Sequence, residues 1–242
     1  MMPPPPNRPI EDVQSRRLTR GDGRLPLQNL LLGALVIAAV NIAVQFLNVR
    51  AALFPFGDYI GAKSKADGGI WLSLLSQSLI AVLALLSARG VAQLWLWPRR
   101  TVPGYGYFLW GASAVLALCP QLAWDLLATQ RLHWWMEPPA SPAWEGVALG
   151  KLLGLLVINL IALLCAMPAL INKHPHPRPR GLQSIGVWAG LTLGLLAGVL
   201  GCGSDAVVAV LAAPVAIVSV LAFRNLNPGL THPAGPVEKN DN

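Results

Sequence analysis

The sequence predicts an all-α fold, a polytopic transmembrane helix bundle of about six spans, and three observations predict it. Of the 242 residues 54% are hydrophobic and 12% charged, about half the charge of an ordinary soluble domain. The apolar residues are gathered into long blocks separated by short polar stretches. Six of those blocks approach the ~20 residues that, at about 1.5 Å each, match a hydrocarbon core of about 30 Å.

Residues 1–26 read as a cytoplasmic Pro- and Arg-rich tail, in which the stretch Pro3 to Pro6 is expected to be extended and solvated because repeated proline blocks helix and sheet alike. The membrane domain covers 27–224, with spans over Leu27 to Leu47, Ile70 to Ser87, Tyr105 to Ala128, Val147 to Ile171, Leu182 to Leu200 and Ala206 to Phe223. No small-residue cleavage site follows the first block, which is therefore expected to be an uncleaved anchor. Arg89 closes the apolar core of the second span, and the VAQLWLW that follows either continues the helix or lies along the interface. The loop HPHPRPR from His174 to Arg180 is again extended, and 225–242 form a polar tail.

A net charge of +7 would suggest nucleic acid in a soluble protein. In a membrane chain the informative quantity is how Lys and Arg divide between the two sides. Arg8, Arg16, Arg17, Arg20, Arg24, Arg99, Arg100, Lys173, Arg178, Arg180, Arg224 and Lys239 fall on one side, while the other holds Arg50, Lys63, Lys65 and Arg131. Both termini are thus expected in the cytoplasm, and an even number of spans agrees by returning the chain to its starting side. The predicted location is a multi-pass position in a bacterial cytoplasmic membrane, with lipids and other membrane subunits as partners and no nucleic acid.

The sharpest local pattern is a glycine zipper in the fifth span, Gly186, Gly190, Gly194 and Gly198. Four residues advance a helix by about 400°, so the stripe drifts by about 40° per step and suits a close right-handed crossing. Some neighbouring backbone is expected to approach it. Gly146, Gly150 and Gly154 make a shorter version, and Ala206, Ala209, Ala213 and Ala216 line the sixth span, joined to the fifth by a turn short enough for a tight hairpin.

Ionisable groups within spans mark the other candidates, because a central charge costs roughly 2.5–3.5 kcal/mol on insertion scales. Asp125 near the end of the third span and Lys151 near the start of the fourth can meet across an antiparallel pair. They form either a structural ion pair or, with Arg131, His133 and Glu145, an outward polar pocket. Asn41, Gln45, Gln121 and Asn159 are read as interhelical hydrogen-bonding groups or as the lining of a weakly polar path. Trp95, Trp97, Trp134, Trp135 and Trp144 are read as headgroup-level anchors.

Partial motifs fail on context. Thr101 to Gly106, TVPGYG, shares letters with a potassium-channel filter, but a proline interrupts it and no pore helix precedes it. Gly201, Gly203 and Ala206 lack the strand that a dinucleotide site needs. VLGC at Cys202 lies far from any N-terminal leader. Cys119, Cys165 and Cys202 are scattered, which points to packing and to no metal, and the histidines lie outside the spans, so no cofactor is expected. The leading expectation is a non-catalytic packing or assembly subunit of a membrane complex. The alternatives are a permease or channel component for a small or lipidic solute, and a lipid-modifying enzyme using Arg131, His133, Glu137 and Glu145.

Overall fold

The computed structural model describes residues 27–51, 60–61, 67–132, 135–136, 143–144, 147–170, 182–200 and 205–226. Six long helices hold nearly all of them: α1 Leu27–Ala51, α2 Asp67–Leu96, α3 Tyr105–Leu126, α4 Leu149–Leu170, α5 Gln183–Val199 and α6 Asp205–Leu226. In lipid, helices satisfy every backbone group within the segment, which is why apolar blocks of this length take this form. Five of the six are long and apolar enough to cross a bilayer, and α5, at 17 residues, is at the short limit of a span. The expected orientation of the termini concerns tails outside the described residues.

The described strands are two residues each. β1 (Ile60–Gly61) pairs antiparallel with β2 (Trp135–Met136), and β3 (Ala143–Trp144) with β4 (Val147–Ala148). The first pairing ties together the two long loops that precede α2 and α4.

Helix α2 exceeds the expected Ile70 to Ser87. It runs straight through Arg89 and VAQLWLW to Leu96 because Arg89 finds a backbone carbonyl on α4 and Gly90 fits against α5. Pro98 ends it, since a residue without an N–H cannot extend the ladder. A short 3-10 turn, Trp97–Arg99, follows, and the chain reverses at Gly104, whose φ of +82° favours glycine.

At the centre of the bundle, α2 packs against α3, α5, α1 and α6; α1 also lies on α4, and α3 on α4 and α5. The buried face of α2 presents Ala81, Ala84, Ala88 and Ala92 beside Leu85 and Val91. Small side chains let neighbouring backbones come close, where dispersion contributes most to helix association in lipid. At Gly90 an added Cβ would fall 2.5 Å from the Cβ of Ser184, and at Gly33 2.7 Å from Leu170 Cδ2. Among the described glycines these two leave the least room for a side chain. A second apolar cluster, Leu118, Leu122, Leu126, Leu155, Leu196, Val199, Val207 and Leu211, joins α3 to α6 toward the other end.

Candidate functional site

The polar interior is built on the antiparallel pair α3 and α4. Gln121 and Asn159 face each other as a reciprocal amide pair: Gln121 Nε2 donates to Asn159 Oδ1 at 2.9 Å and Asn159 Nδ2 donates to Gln121 Oε1 at 2.8 Å. Asn159, 0% exposed, also donates to the Ala114 carbonyl at 3.3 Å. One turn further along α3, Asp125 accepts from Lys151 Nζ at 2.5 Å, with the residues 3% and 4% exposed. Along α4 the amide pair lies about 12 Å from Lys151 and about 16 Å from Leu170, at roughly 1.5 Å per residue. The amides therefore sit near the middle of the bundle and the ion pair close to one end.

Each of these groups loses water on burial, and its partner restores what water supplied. An isolated buried charge costs several kcal/mol, which a matched pair offsets when geometry is good. The structure brings Asp125 and Lys151 together across α3 and α4. Arg131 ends the π turn Leu127–Arg131 that prolongs α3 and is exposed. His133, Glu137 and Glu145 lie outside the described residues, as does the polar pocket they were expected to complete.

A second set of contacts serves carbonyls that helices leave without a donor. Pro120 lies inside α3 and supplies no N–H to the carbonyl of Leu116, four residues earlier. Trp188 of α5, 0% exposed, donates its indole Nε1 to that carbonyl at 2.9 Å. Pro98 similarly deprives Leu94, and Asn225 of α6 donates Nδ2 to Leu94 and Trp95 carbonyls at 2.9 and 3.0 Å. Arg89 Nη2 donates at 2.6 Å to the carbonyl of Leu170, the last residue of α4. Trp110 adds a bond to the Leu160 carbonyl at 3.1 Å. Asn41 bonds back to the Ile37 carbonyl at 3.1 Å, while Gln45 Oε1 is buried without a partner among the described residues.

The glycine zipper of α5 does not pack inside the chain. A Cβ added at Gly186, Gly190 or Gly194 would meet nothing within 4 Å among the described residues. Only the far end turns inward, where Gly198 would meet Leu127 Cδ1 at 3.0 Å. The reason is the helix's other side: Ile185, Trp188, Thr192, Leu196 and Val199 form its buried line. At about 100° per residue that line is centred roughly 160° from the glycines. Val187 and Leu193, both exposed, stand as ridges on either side of the glycine groove. Ala206, Ala209, Ala213 and Ala216 are also exposed on α6, which meets α5 through Val207 and Leu211 instead. The expected α5–α6 contact forms, but neither small-residue stripe makes it.

Of the shorter glycine series, Gly154 is buried, Gly150 is half-buried and Gly146 lies outside the described residues. Trp95 and Trp97 are half-buried at the end of α2, with the Arg100 guanidinium 4.6 Å from the centre of the Trp97 ring. Trp134 lies outside the described residues, and of Trp135 and Trp144 only the backbone pairing is described. Cys119 is buried and Cys165 exposed. Sequence reasoning missed Gly33, Gly90, Trp110, Trp188 and Asn225. A signal for two of them existed: each in-helix or helix-ending proline marks a carbonyl four residues back that needs a donor from elsewhere. Neither a family model, nor a curated protein, nor a solved structure matches the chain.

Proposed function

We propose that the chain is a non-catalytic packing or assembly subunit of a larger membrane complex, in which the outward small-residue face of α5 and α6 seats a partner's transmembrane helix. The observation that carries this reading is the uncovered groove over Gly186, Gly190 and Gly194, flanked by Val187 and Leu193. Lipid tails fill such a groove poorly, whereas a helix backbone fills it closely and gains dispersion and Cα–H···O contacts. The interior supports the same reading. Asp125 is neutralised by Lys151, and Gln121 and Asn159 bond each other, so these four polar groups act as glue between α3 and α4.

The division of Lys and Arg along the sequence supports cytoplasmic termini. A permease for a small or lipidic solute is the alternative, drawn from the same buried polar groups, but their mutual bonding favours a static role.

The test is extraction in mild detergent from the native membrane, followed by native mass measurement. A stoichiometric heteromeric partner that is lost from Gly190→Leu, while the chain itself stays folded, supports the proposal. A lone monomer from the wild-type membrane overturns it.

A further inference from the structure

Pro98, Pro120, Pro168 and Pro214 stand in or directly behind the described helices, and each withholds the N–H that a carbonyl four residues earlier would accept. Two of those carbonyls, Leu94 and Leu116, receive a side-chain donor from another helix, Asn225 and Trp188. The other two are Leu164, before Pro168 in α4, and Val210, before Pro214 in α6. Both residues are exposed, 58% and 52%, and no described side chain donates to either.

The two differ in depth. A donor for the Leu164 carbonyl would sit about 5 Å from the end of α4, within reach of headgroups and water, whereas one for Val210 would sit about 10 Å inside α6 from its nearer end. A hydrocarbon tail donates no hydrogen bond, and a proline within a span is tolerated where a neighbouring helix, a hydroxyl or water replaces the lost bond. The one hydroxyl in α6, Ser219, lies beyond Pro214, and its Oγ is buried with no partner among the described residues, so it does not replace it.

Val210 is also level with the glycine groove. It lies five residues from the start of α6, as Gly194 lies five from the end of α5, and the two helices pack through Leu196, Val199, Val207 and Leu211. Helix α5, at 17 residues, spans about 25 Å, a mismatch with the bilayer that association with another helix relieves. A second copy of this chain is the poorer occupant. Its exposed indole, Trp71, stacks on Phe46 and so lies on the side of α2 that faces α1. A contact through it would join unlike surfaces and build rings or filaments rather than a dimer.

We infer that the partner segment covering the α5–α6 face carries a hydrogen-bond donor side chain, an indole, an amide or a hydroxyl, that takes up the Val210 carbonyl. This deepens the subunit reading and rests on it, because it names the chemistry that the partner helix brings to the groove. The partner would then do for Pro214 what Trp188 does for Pro120 within the chain.

The test extracts the complex from the native membrane with a diazirine amino acid replacing Val210 and sequences the adduct. The expected adduct is an apolar segment of another protein with a Trp, Asn, Gln, Ser or Thr within one turn of the crosslink. Pro214→Ala returns an N–H to the Val210 carbonyl within α6, and the chain alone should unfold no more easily. The partner is then expected to dissociate about three- to tenfold more readily, the worth of one interhelical bond in lipid. Pro168→Ala leaves dissociation unchanged. Removing the partner's donor abolishes the difference between proline and alanine at 214. A difference that persists comes from straightening α6 and overturns the inference. Unchanged dissociation in Pro214→Ala, an adduct without a donor side chain, an adduct with a second copy, or lipid adducts alone also overturn it. Loss of the partner in Gly190→Leu with no change in Pro214→Ala sinks this inference and leaves the subunit reading standing, whereas a chain that carries no partner sinks both.

Discussion

The indole of Trp188 donates a hydrogen bond to the carbonyl of Leu116 at 2.9 Å, the one backbone acceptor in α3 that Pro120 leaves without a helical donor. A lone aromatic in an aliphatic span thus repairs a proline defect in a different helix, and Asn225 does the same for Leu94 beside Pro98. Helix α5 is held to α3 by this bond as well as by packing.

Trp188→Phe keeps a ring in the core and removes only the donor. It is expected to destabilise the chain by about 1–3 kcal/mol, the cost of an unsatisfied buried acceptor. Pro120→Ala gives Leu116 a donor within its own helix. On that background Trp188→Phe should cost at least ~1 kcal/mol less, as read from unfolding in mixed micelles and a double-mutant cycle. Equal cost on both backgrounds means the bond contributes nothing.

The glycines divide into inner and outer ones. Gly90→Val forces the Ser184 Cβ and the α2–α5 crossing apart and should cost about 1–3 kcal/mol. Gly190→Val meets open space and should stay within about 0.5 kcal/mol in the isolated chain. Thermal unfolding of the two purified variants decides this; the reverse order would mean the zipper packs internally.

Asp125 and Lys151 offset each other's buried charge. Asp125→Asn removes the negative charge that offsets the buried Lys151 ammonium and is expected to cost about 3–5 kcal/mol, whereas Asp125→Leu with Lys151→Met restores stability to near the wild-type value. If the double variant is as unstable as the single one, the charges serve something other than mutual neutralisation.

Gln121 and Asn159 behave likewise with smaller numbers. Either residue changed to Leu leaves one amide unpaired and should cost roughly 1–2 kcal/mol, the range of interhelical polar bonds in lipid. Changing both should cost no more than the larger single change, measured in the same unfolding assay.

The spans were legible because hydropathy over ~20 residues is a local property of the sequence. The Asp125–Lys151 pair was legible too, since two ionisable groups near facing ends of adjacent antiparallel helices have few places to go. Length was less legible: Arg89 reads as a stop to α2, yet a carbonyl on α4 accommodates it. The direction of the zipper was hidden for a different reason. A stripe of small residues states that something approaches closely without stating whether it belongs to the same chain, and the buried line through Trp188 and Thr192 is uniformly apolar on neither side of the helix until the neighbours are known. Gly90 stayed unnoticed because it is a single glycine, and its significance lies in Ser184, 94 residues later in the sequence.

The measurement that bears most directly on the outward face is photo-crosslinking in the native membrane, with a diazirine amino acid replacing Leu193 beside the groove and, as a control, Leu164 on the exposed side of α4. A partner helix over the glycines predicts one discrete protein adduct from position 193 and lipid adducts from 164. Lipid adducts alone from both positions would contradict the account.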